Sequence, residues 1–237
     1  MAWQDNPAEC DKVLAALRAL DTPTVCNALE RVIPERRGHG FTTSPLVCLD
    51  PAAPPMVGWA RTATIRAMQP SGRDPEAQAQ ATLAYYEHAG QSPHPTLTVI
   101  QDLDPAPGAA CFWGEVHSAM HRGLGSLGVI TNGTIRDLDD WAEGFQALSA
   151  GVAPSHAFVH IVDCNIQVEV HGMCVKPGDL IHADQHGAVV IPTEVAEQVP
   201  EAAAQVAKQE SLLIEASQKP GFNVEKIKAI FTGTDDH

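Results

Sequence analysis

The order of strand-like and helix-like segments limits the fold of this chain more than any other feature. In its first part, apolar residues recur at helical spacing or in short runs bounded by turn residues, which indicates alternating helices and strands. The predicted helices are 9–20, 24–31, 74–89 and 114–123, and the predicted strands are 57–68, 96–100 and 127–131. We expect 57–68 to be half buried, because small or apolar residues alternate there with polar ones. The alternation is typical of a βαβ unit.

The second part of the chain has a different pattern, in which strands follow one another with few helices between them. The predicted strands are 157–161, 166–170 and 187–191, separated by turn residues at 176–179 and 185–187. Two helical segments, 193–217 and 223–231, come last. We therefore expect an α/β fold in which a largely antiparallel β unit packs beside the βαβ half. Since no linker divides the chain, residues 1–237 are predicted to form a single domain.

The charge balance limits the partners. The 237 residues include 15 Lys and Arg against 29 Asp and Glu, a formal net charge of −14. Non-specific nucleic-acid binding relies on Lys and Arg at the phosphates, so we expect neither nucleic acid nor an anionic membrane as a partner. The sequence has no basic-then-apolar leader and no apolar run near 18 residues. We expect a soluble, cytoplasmic protein.

The six cysteines are scattered without a C-x-x-C pair, in a chain too long to need bridges. We expect most of them to be reduced core residues rather than disulfides or zinc ligands. They are Cys10, Cys26, Cys48, Cys111, Cys164 and Cys174.

The densest group of polar residues lies at 113–117 and, after a predicted buried strand, at 132–137. If Gly114 opens a helix, the free N–H groups of the first turn suit an anion such as a carboxylate. Arg136 is a bidentate carboxylate binder, and the adjacent Asp137 is a hard oxygen ligand for Mg²⁺ or Mn²⁺. Together these residues are expected to hold a metal-chelated, anionic oxo acid.

Other interpretations of the same residues remain open. Glu115 after a glycine is also an ordinary helix start, and adjacent Arg and Asp side chains often form an exposed pair of little consequence. His117 and His121 lie four residues apart on one helical face, as in some zinc hydrolases, but no third ligand is fixed by spacing.

Twenty residues lie between Glu115 and Arg136. This spacing resembles the acid-x20-Arg-Asp motif of the RraA-like family, which includes class II 4-hydroxy-4-methyl-2-oxoglutarate and 4-carboxy-4-hydroxy-2-oxoadipate aldolases. The resemblance extends over about residues 20–195, through DTPTVCNAL at 21–29, VGWARTAT at 57–64 and VKPGDLIHAD at 175–184. It implies a single-domain, swivelling β/β/α fold with N- and C-terminal helices.

The resemblance also implies roles for individual residues. Gly114, Glu115, Val116 and His117 would contact the substrate, Arg136 would bind substrate oxygens, and Asp137 would ligate a divalent metal cation, Mg²⁺ or Mn²⁺. Family members assemble as trimers or dimers of trimers, so the C-terminal helices at 195–231 are expected to make oligomer contacts. A Glu of the neighbouring subunit's C-terminal helix assists catalysis, and Glu210 is our choice for it.

The implied activity is a metal-dependent lyase that acts on a small anionic 2-oxo acid. Cleavage of a 4-hydroxy-2-oxo acid, or decarboxylation of oxaloacetate, leaves a pyruvate enolate, which the metal stabilises as a Lewis acid and Arg136 by a hydrogen bond. A metal-ordered water helped by Glu115 is the candidate base. The alternative is a non-catalytic regulator, because the family also includes an inhibitor of ribonuclease E.

Three positions depart from the family's usual residues. Glu115 replaces the commoner Asp, Asn132 stands where the turn usually has Asp, and His117 occupies an often apolar position. Since Glu115 and His117 would face the substrate, these differences bear on which 2-oxo acid is bound.

Overall fold

A computed structural model describes residues 3–93 and 95–232, which form an α/β fold. The helices are α1 Pro7–Arg18, α2 Thr22–Val32, α3 Pro75–Ala89, α4 Glu115–Gly123, α5 Val199–Ser217 and α6 Val224–Thr232. The strands are β1 Val47–Cys48, β2 Met56–Arg66, β3 Thr96–Asp102, β4 Cys111–Trp113, β5 Ser126–Thr131, β6 Thr134–Ile135, β7 Gln146–Ser149, β8 Gly151–Val152, β9 His160–Cys164, β10 Val168–Val170, β11 Met173–Val175, β12 Leu180–Asp184 and β13 Gly187–Ile191.

The main sheet has both a parallel and an antiparallel part, as the two halves of the sequence predict. Its strand order is β1-β7-β5-β3-β2-β12-β13, and β9 also pairs with β2. Strands β2, β3, β5 and β7 run parallel to one another, whereas β1, β9, β12 and β13 pair antiparallel with their neighbours. The carboxyl ends of β3 and β5 therefore lie at the same edge.

Strand β2 is buried along its whole length except at Arg66, so the expectation of a half-buried strand is wrong. The reason is that both faces of the sheet are covered. Helices cover one face, and on the other a hairpin of β10 and β11 contributes to a shared core with residues such as Ala60 of β2 and Leu97 of β3. Alternating polarity in the sequence thus reflects threonines whose hydroxyls are satisfied inside the protein, as at Thr62, which donates to Ile166 O at 2.6 Å.

The helix-covered face is divided between two apolar clusters. One includes residues of α1, α2 and α5 over β12 and β13. The other includes residues of α3 with Ile100 of β3, Val129 of β5 and Ala147 of β7, together with the aromatic residues that precede α4. The candidate site borders this second cluster.

A small parallel sheet of order β4-β6-β8 positions the candidate site. Cys111 lies opposite Thr134, and Trp113 lies opposite Ile135. Because the two strands are parallel neighbours, the residues that follow them, Gly114 and Arg136, emerge side by side.

Capping side chains explain where two predicted helices begin. Asp21 Oδ1 accepts from Thr24 N at 2.8 Å before α2, and Asp74 Oδ1 accepts from Ala77 N at 2.9 Å before α3. The strand predicted at 157–161 begins later, as β9 at His160–Cys164. The reason is that Ala157 has a positive φ of 42° and lies in a turn.

All six cysteines are free thiols. None of the helices within the described ranges is both long and apolar enough to cross a membrane.

Candidate functional site

The 20-residue spacing between Glu115 and Arg136 has a direct structural cause. The chain leaves β4 at Trp113, forms α4 and then β5, and returns as β6 beside β4. The Arg136 N–H donates to Trp113 O at 3.0 Å, which fixes the two strand ends against each other. The crossover therefore brings the first turn of α4 next to Arg136 and Asp137.

Gly114 is required by space rather than by backbone angle. Its φ of −164° is extended backbone that any residue adopts. A Cβ built at this position would collide with the Asp137 carboxylate and would lie only 3.2 Å from Arg136 Cγ. The glycine therefore lets the Arg136-Asp137 turn lie directly against the start of α4.

Asp137 lies in the left-handed region, with φ 55° and ψ 46°. Its Oδ2 accepts from Glu115 N at 3.3 Å and lies 3.4 Å from Arg136 Nε. Both contacts use the same oxygen. The exposed fraction is 37% for the Asp137 side chain and 36% for the Arg136 side chain. Within residues 3–93 and 95–232, Oδ1 of Asp137 has no hydrogen-bond partner. A strained backbone thus presents a carboxylate oxygen that can still accept a hydrogen bond or bind a cation.

The first turn of α4 lies beside this carboxylate. Glu115 and Val116 are exposed, with 64% of Val116 accessible. Ser118 is fully buried. Its Oγ donates to Glu115 O at 2.8 Å and accepts from Ala142 N at 3.0 Å, which ties the helix to the segment after Asp137. Sequence analysis did not identify this serine, because its partners are main-chain atoms.

His117 is enclosed by aromatic residues, of which Tyr86 was also not predicted. Its Nδ1 lies 3.2 Å from the Tyr86 hydroxyl, and its ring centroid lies 4.1 Å from that of Phe112. Burial, with Arg136 nearby, lowers the pKa of His117 to about 4. The imidazole is therefore neutral at pH 7.

His121, one turn further along α4, is fully buried. Its Nδ1 lies 2.7 Å from His117 O, and its Nε2 lies 2.5 Å from the Tyr85 hydroxyl. Because a carbonyl only accepts, Nδ1 carries the proton and Nε2 accepts from Tyr85. Burial lowers the pKa of His121 to about 4. With both nitrogens engaged, His121 has no free position for a zinc ion.

The presence of Asn132, where the turn of the family usually has Asp, also has a structural explanation. Its Oδ1 accepts from Asp102 N at 2.7 Å, and its Nδ2 donates to Asp102 O at 3.0 Å. An amide can serve as donor and acceptor at once, whereas a carboxylate only accepts. Asn132 therefore joins the carboxyl ends of β3 and β5 behind the site.

Two cavities have linings that do not include Gly114, Arg136 or Asp137. One, of about 420 Å³, is lined by residues such as Pro55, Leu127 and Phe145, near the starts of β2, β5 and β7. The other, of about 520 Å³, lies beside the turn before β12 and includes Arg36 and Lys176. At the candidate site, Gly114 is buried and the side chains of Arg136 and Asp137 are each about a third exposed.

Glu210 lies on the exposed side of α5. This helix packs on α2, where Arg31 donates to Gln205 Oε1 at 2.9 Å. Because α5 and the candidate site border different apolar clusters, the described part of one chain does not bring Glu210 to Arg136. Its predicted role in a neighbouring subunit's site stays a prediction.

The donor set fits a hard divalent cation. Across residues 3–93 and 95–232, no three His, Cys, Asp or Glu side chains are grouped to hold a metal ion. A single carboxylate such as that of Asp137 would hold Mg²⁺ together with water and substrate oxygens, which is a common arrangement for this ion. The free Oδ1 and the partial exposure of this carboxylate are consistent with such a role.

Known proteins resemble this chain in sequence and in fold. An uncharacterized protein of Methanocaldococcus jannaschii, MJ0644, is 30% identical over 100 residues, which are 41% of this chain. The match covers 48% of that protein, so the chain spans about half the length of this relative.

Two solved structures share the fold. An uncharacterized protein from Pseudomonas syringae pv. tomato aligns with a TM-score of 0.67 and 22% identity, over 92% of this chain and 93% of its own. Streptomyces coelicolor RraAS2, described as an unusual member of the RNase ES inhibitor RraA protein family, aligns with a TM-score of 0.65 and 22% identity, over 84% and 94%. The family model described as RraA-like, Aldolase/RraA, matches residues 21–190. The chain therefore belongs to the RraA-like family.

Proposed function

We propose that this protein is a divalent-metal-dependent lyase that cleaves a 4-hydroxy-2-oxo di- or tricarboxylate to pyruvate and a second oxo acid, or decarboxylates oxaloacetate. The family includes both aldolase and decarboxylase enzymes and inhibitors of ribonuclease E. The observation that carries the proposal is the convergence of the α4 N-terminus, Arg136 and a partly free Asp137 carboxylate.

Each of these groups has a role in the proposed reaction. Arg136 can donate two parallel hydrogen bonds to a substrate carboxylate or to the oxygen on which charge develops. The N–H groups of Val116 and His117 lie in the first turn of α4, where the helix dipole favours an anion. Asp137 would hold Mg²⁺ or Mn²⁺, which supplies Lewis-acid stabilisation of the developing charge when bound.

Retro-aldol cleavage also requires a base for the 4-hydroxyl proton. Glu115 and His117 are the titratable residues that the first turn of α4 contributes. Decarboxylation of oxaloacetate requires no such base, because the leaving group is already a carboxylate. The two reactions therefore share the enolate-stabilising groups but differ in proton transfer.

The decisive experiment measures pyruvate with a coupled assay. Oxaloacetate and 4-hydroxy-4-methyl-2-oxoglutarate are supplied with Mg²⁺ or Mn²⁺, and parallel samples contain EDTA. We expect pyruvate with metal and its loss with EDTA. Exchange of the pyruvate methyl protons with deuterated water tests enolate formation directly. A folded, metal-supplied protein that forms no pyruvate and catalyses no exchange contradicts the proposal.

We also propose that a second copy of this chain, in a homotrimer or dimer of trimers, completes the site through Glu210. The support is that Glu210 is exposed and that the side chains of Arg136 and Asp137 are also partly exposed, so a neighbouring subunit can reach them. Mixing inactive D137N and E210Q proteins under subunit exchange should restore activity, because some sites then contain neither substitution. Light scattering reports the assembly, and failure of the mixture to regain activity contradicts the shared site.

A regulator that binds another protein is the second candidate. The net charge of −14 favours docking on a basic segment. A wild-type protein that is inactive in both assays but inhibits a ribonuclease, with inhibition weakened by salt, would support this candidate.

A further inference from the structure

His117 and His121 lie one turn apart on α4, yet their hydrogen bonds differ. Both nitrogens of His121 are engaged, one by His117 O and the other by Tyr85. For His117, only Nδ1 has a partner, the Tyr86 hydroxyl. Nε2 has no hydrogen-bond partner in the described part of the chain, and it is not among the fully buried unpartnered atoms, so part of its surface is accessible.

The orientation of His117 is fixed by its neighbours. Tyr86 comes from α3 and lies nearly parallel to the imidazole, at an interplanar angle of 16°, while Phe112 packs at 4.1 Å from the ring centroid. These contacts restrict rotation of the imidazole. The imidazole is therefore held at the first turn of α4, where the charge of Arg136 acts on it and lowers its pKa.

We propose that His117 is the catalytic base that takes the 4-hydroxyl proton in the retro-aldol reaction, with Tyr86 as its positioning residue. The inference rests on the proposed function and assigns its missing proton acceptor. It requires the tautomer in which Nδ1–H donates to the Tyr86 oxygen, because Nε2 then has a free lone pair.

The electrons and protons of this step balance. His117 Nε2 takes the proton from the 4-hydroxyl, and the C4–O bond becomes a carbonyl as the C3–C4 bond breaks. The electron pair of the broken bond forms the C2=C3 double bond while the π pair of the C2 carbonyl moves to its oxygen, which gives the enolate of pyruvate. Proton return from the imidazolium to C3 completes pyruvate and restores neutral His117, so no oxidant or reductant is needed.

Electrostatics support the timing of this transfer. Burial and Arg136 keep the pKa of free His117 low, so the ring is unprotonated before the substrate arrives. A substrate carboxylate bound to Arg136 offsets the effect of that cation. The pKa of His117 then rises when the imidazole has to accept the proton.

The first test compares two reactions in H117Q. Loss of a general base typically costs about 10²–10⁴-fold in rate, so we expect the ratio of aldol cleavage to oxaloacetate decarboxylation to fall by about 100-fold. Y86F should lower the same ratio by a smaller factor. H156Q, on an exposed turn, is the matched control and should leave the ratio unchanged.

The outcomes separate the two proposals. An active wild-type enzyme whose ratio is unchanged in H117Q overturns the base assignment alone. A wild-type enzyme inactive on both substrates contradicts the proposed function and overturns the base assignment with it.

A second measurement uses the wild-type protein and requires neither metal nor turnover. Long-range ¹H–¹⁵N spectra of the histidine rings distinguish the two neutral tautomers, and H117Q assigns the signal. We expect His117 to carry its proton on Nδ1 at pH 7. A proton on Nε2 overturns the proposal, because that nitrogen then has no lone pair for the substrate.

Discussion

Two aspartates at the ends of strands show how differently this fold uses the same side chain. Asp184, at the end of β12, is 8% exposed and accepts from Thr22 N at 2.9 Å, from His186 N at 2.8 Å and from His186 Nδ1 at 3.0 Å. Burial raises its pKa, but the hydrogen bonds from Thr22 and His186 outweigh burial, so the net shift is downward. Both carboxylate oxygens of Asp184 are used inside the protein.

Asp137, just after β6, has the opposite character. Two longer contacts, at 3.3 and 3.4 Å, share one oxygen, the side chain is 37% exposed, and the backbone is left-handed. A carboxylate whose acceptors are filled stabilises the fold, whereas one with a free oxygen on a strained turn is available to a ligand. The comparison predicts that the two residues have separable effects on stability and activity.

The largest effect is expected from D137N. It removes the charge that would hold the metal, so metal-dependent pyruvate formation should fall by about 10³-fold or more, or ~4 kcal/mol in the barrier. The melting temperature should change little, because the wild-type contacts are long and partly exposed. Retention of wild-type turnover would mean that Asp137 is not the metal ligand.

The reverse outcome is expected for D184N. The amide places a donor against the N–H groups of Thr22 or His186, so unfolding in urea at pH 7 should require about 3 kcal/mol less. Because the folded pKa of Asp184 is lowered, its stabilising contribution is present above the unfolded pKa and is lost as pH falls through the folded value.

The control for D184N is D74N. Asp74 caps α3 at its exposed start, and Asn caps equally well, so stability should not change. Activity per folded molecule of D184N should match the wild type. A selective loss of activity in D184N would remove the distinction between the two aspartates.

The centre of the candidate site could be predicted from the sequence because β4 and β6 are parallel neighbours. The crossover between them is formed by α4 and β5, so a fixed spacing brings Gly114 next to Arg136. The strand lengths explain what was missed: β4 and β6 have three and two residues, too few for a periodic pattern. The partner of His117 was missed because Tyr86 precedes it by 31 residues, on another helix.

The burial of the sheet was harder to predict for a related reason. Polarity along β2 indicates only whether a face can be solvated, not whether another element covers it. The hairpin of β10 and β11 covers that face through contacts distant in sequence, such as those within the shared cluster of Leu97, Val170 and Met173. The helix starts, by contrast, were predictable because Asp21 and Asp74 cap them through bonds only three residues long.

The contact between Gly114 and Asp137 allows a test of whether activity depends on the exact position of the Asp137 carboxylate. G114A places a methyl group against the carboxylate and pushes the Arg136-Asp137 turn away from α4. A displacement of about 1 Å can cost about 10²-fold in turnover, so we expect a loss of that size in pyruvate formation. G123A, at the end of α4, adds a methyl group where no atom lies within 4 Å and should leave activity unchanged. Equal activity of the two variants would contradict a precise role for the turn.

The smallest predicted effect concerns His121. Like Asp184, this residue has all its hydrogen-bonding side-chain atoms engaged inside the protein. Burial lowers its folded pKa to about 4, below the unfolded value of about 6.5. Between these values the unfolded state binds more protons, so stability falls as pH falls. For His121 this amounts to about 2 kcal/mol between pH 7 and pH 5. H121Q should remove that part of the slope in urea unfolding and leave the parts due to other buried histidines such as His182, whose pKa burial also lowers. An unchanged slope in H121Q would mean that the imidazole is already accessible to protons in the folded state.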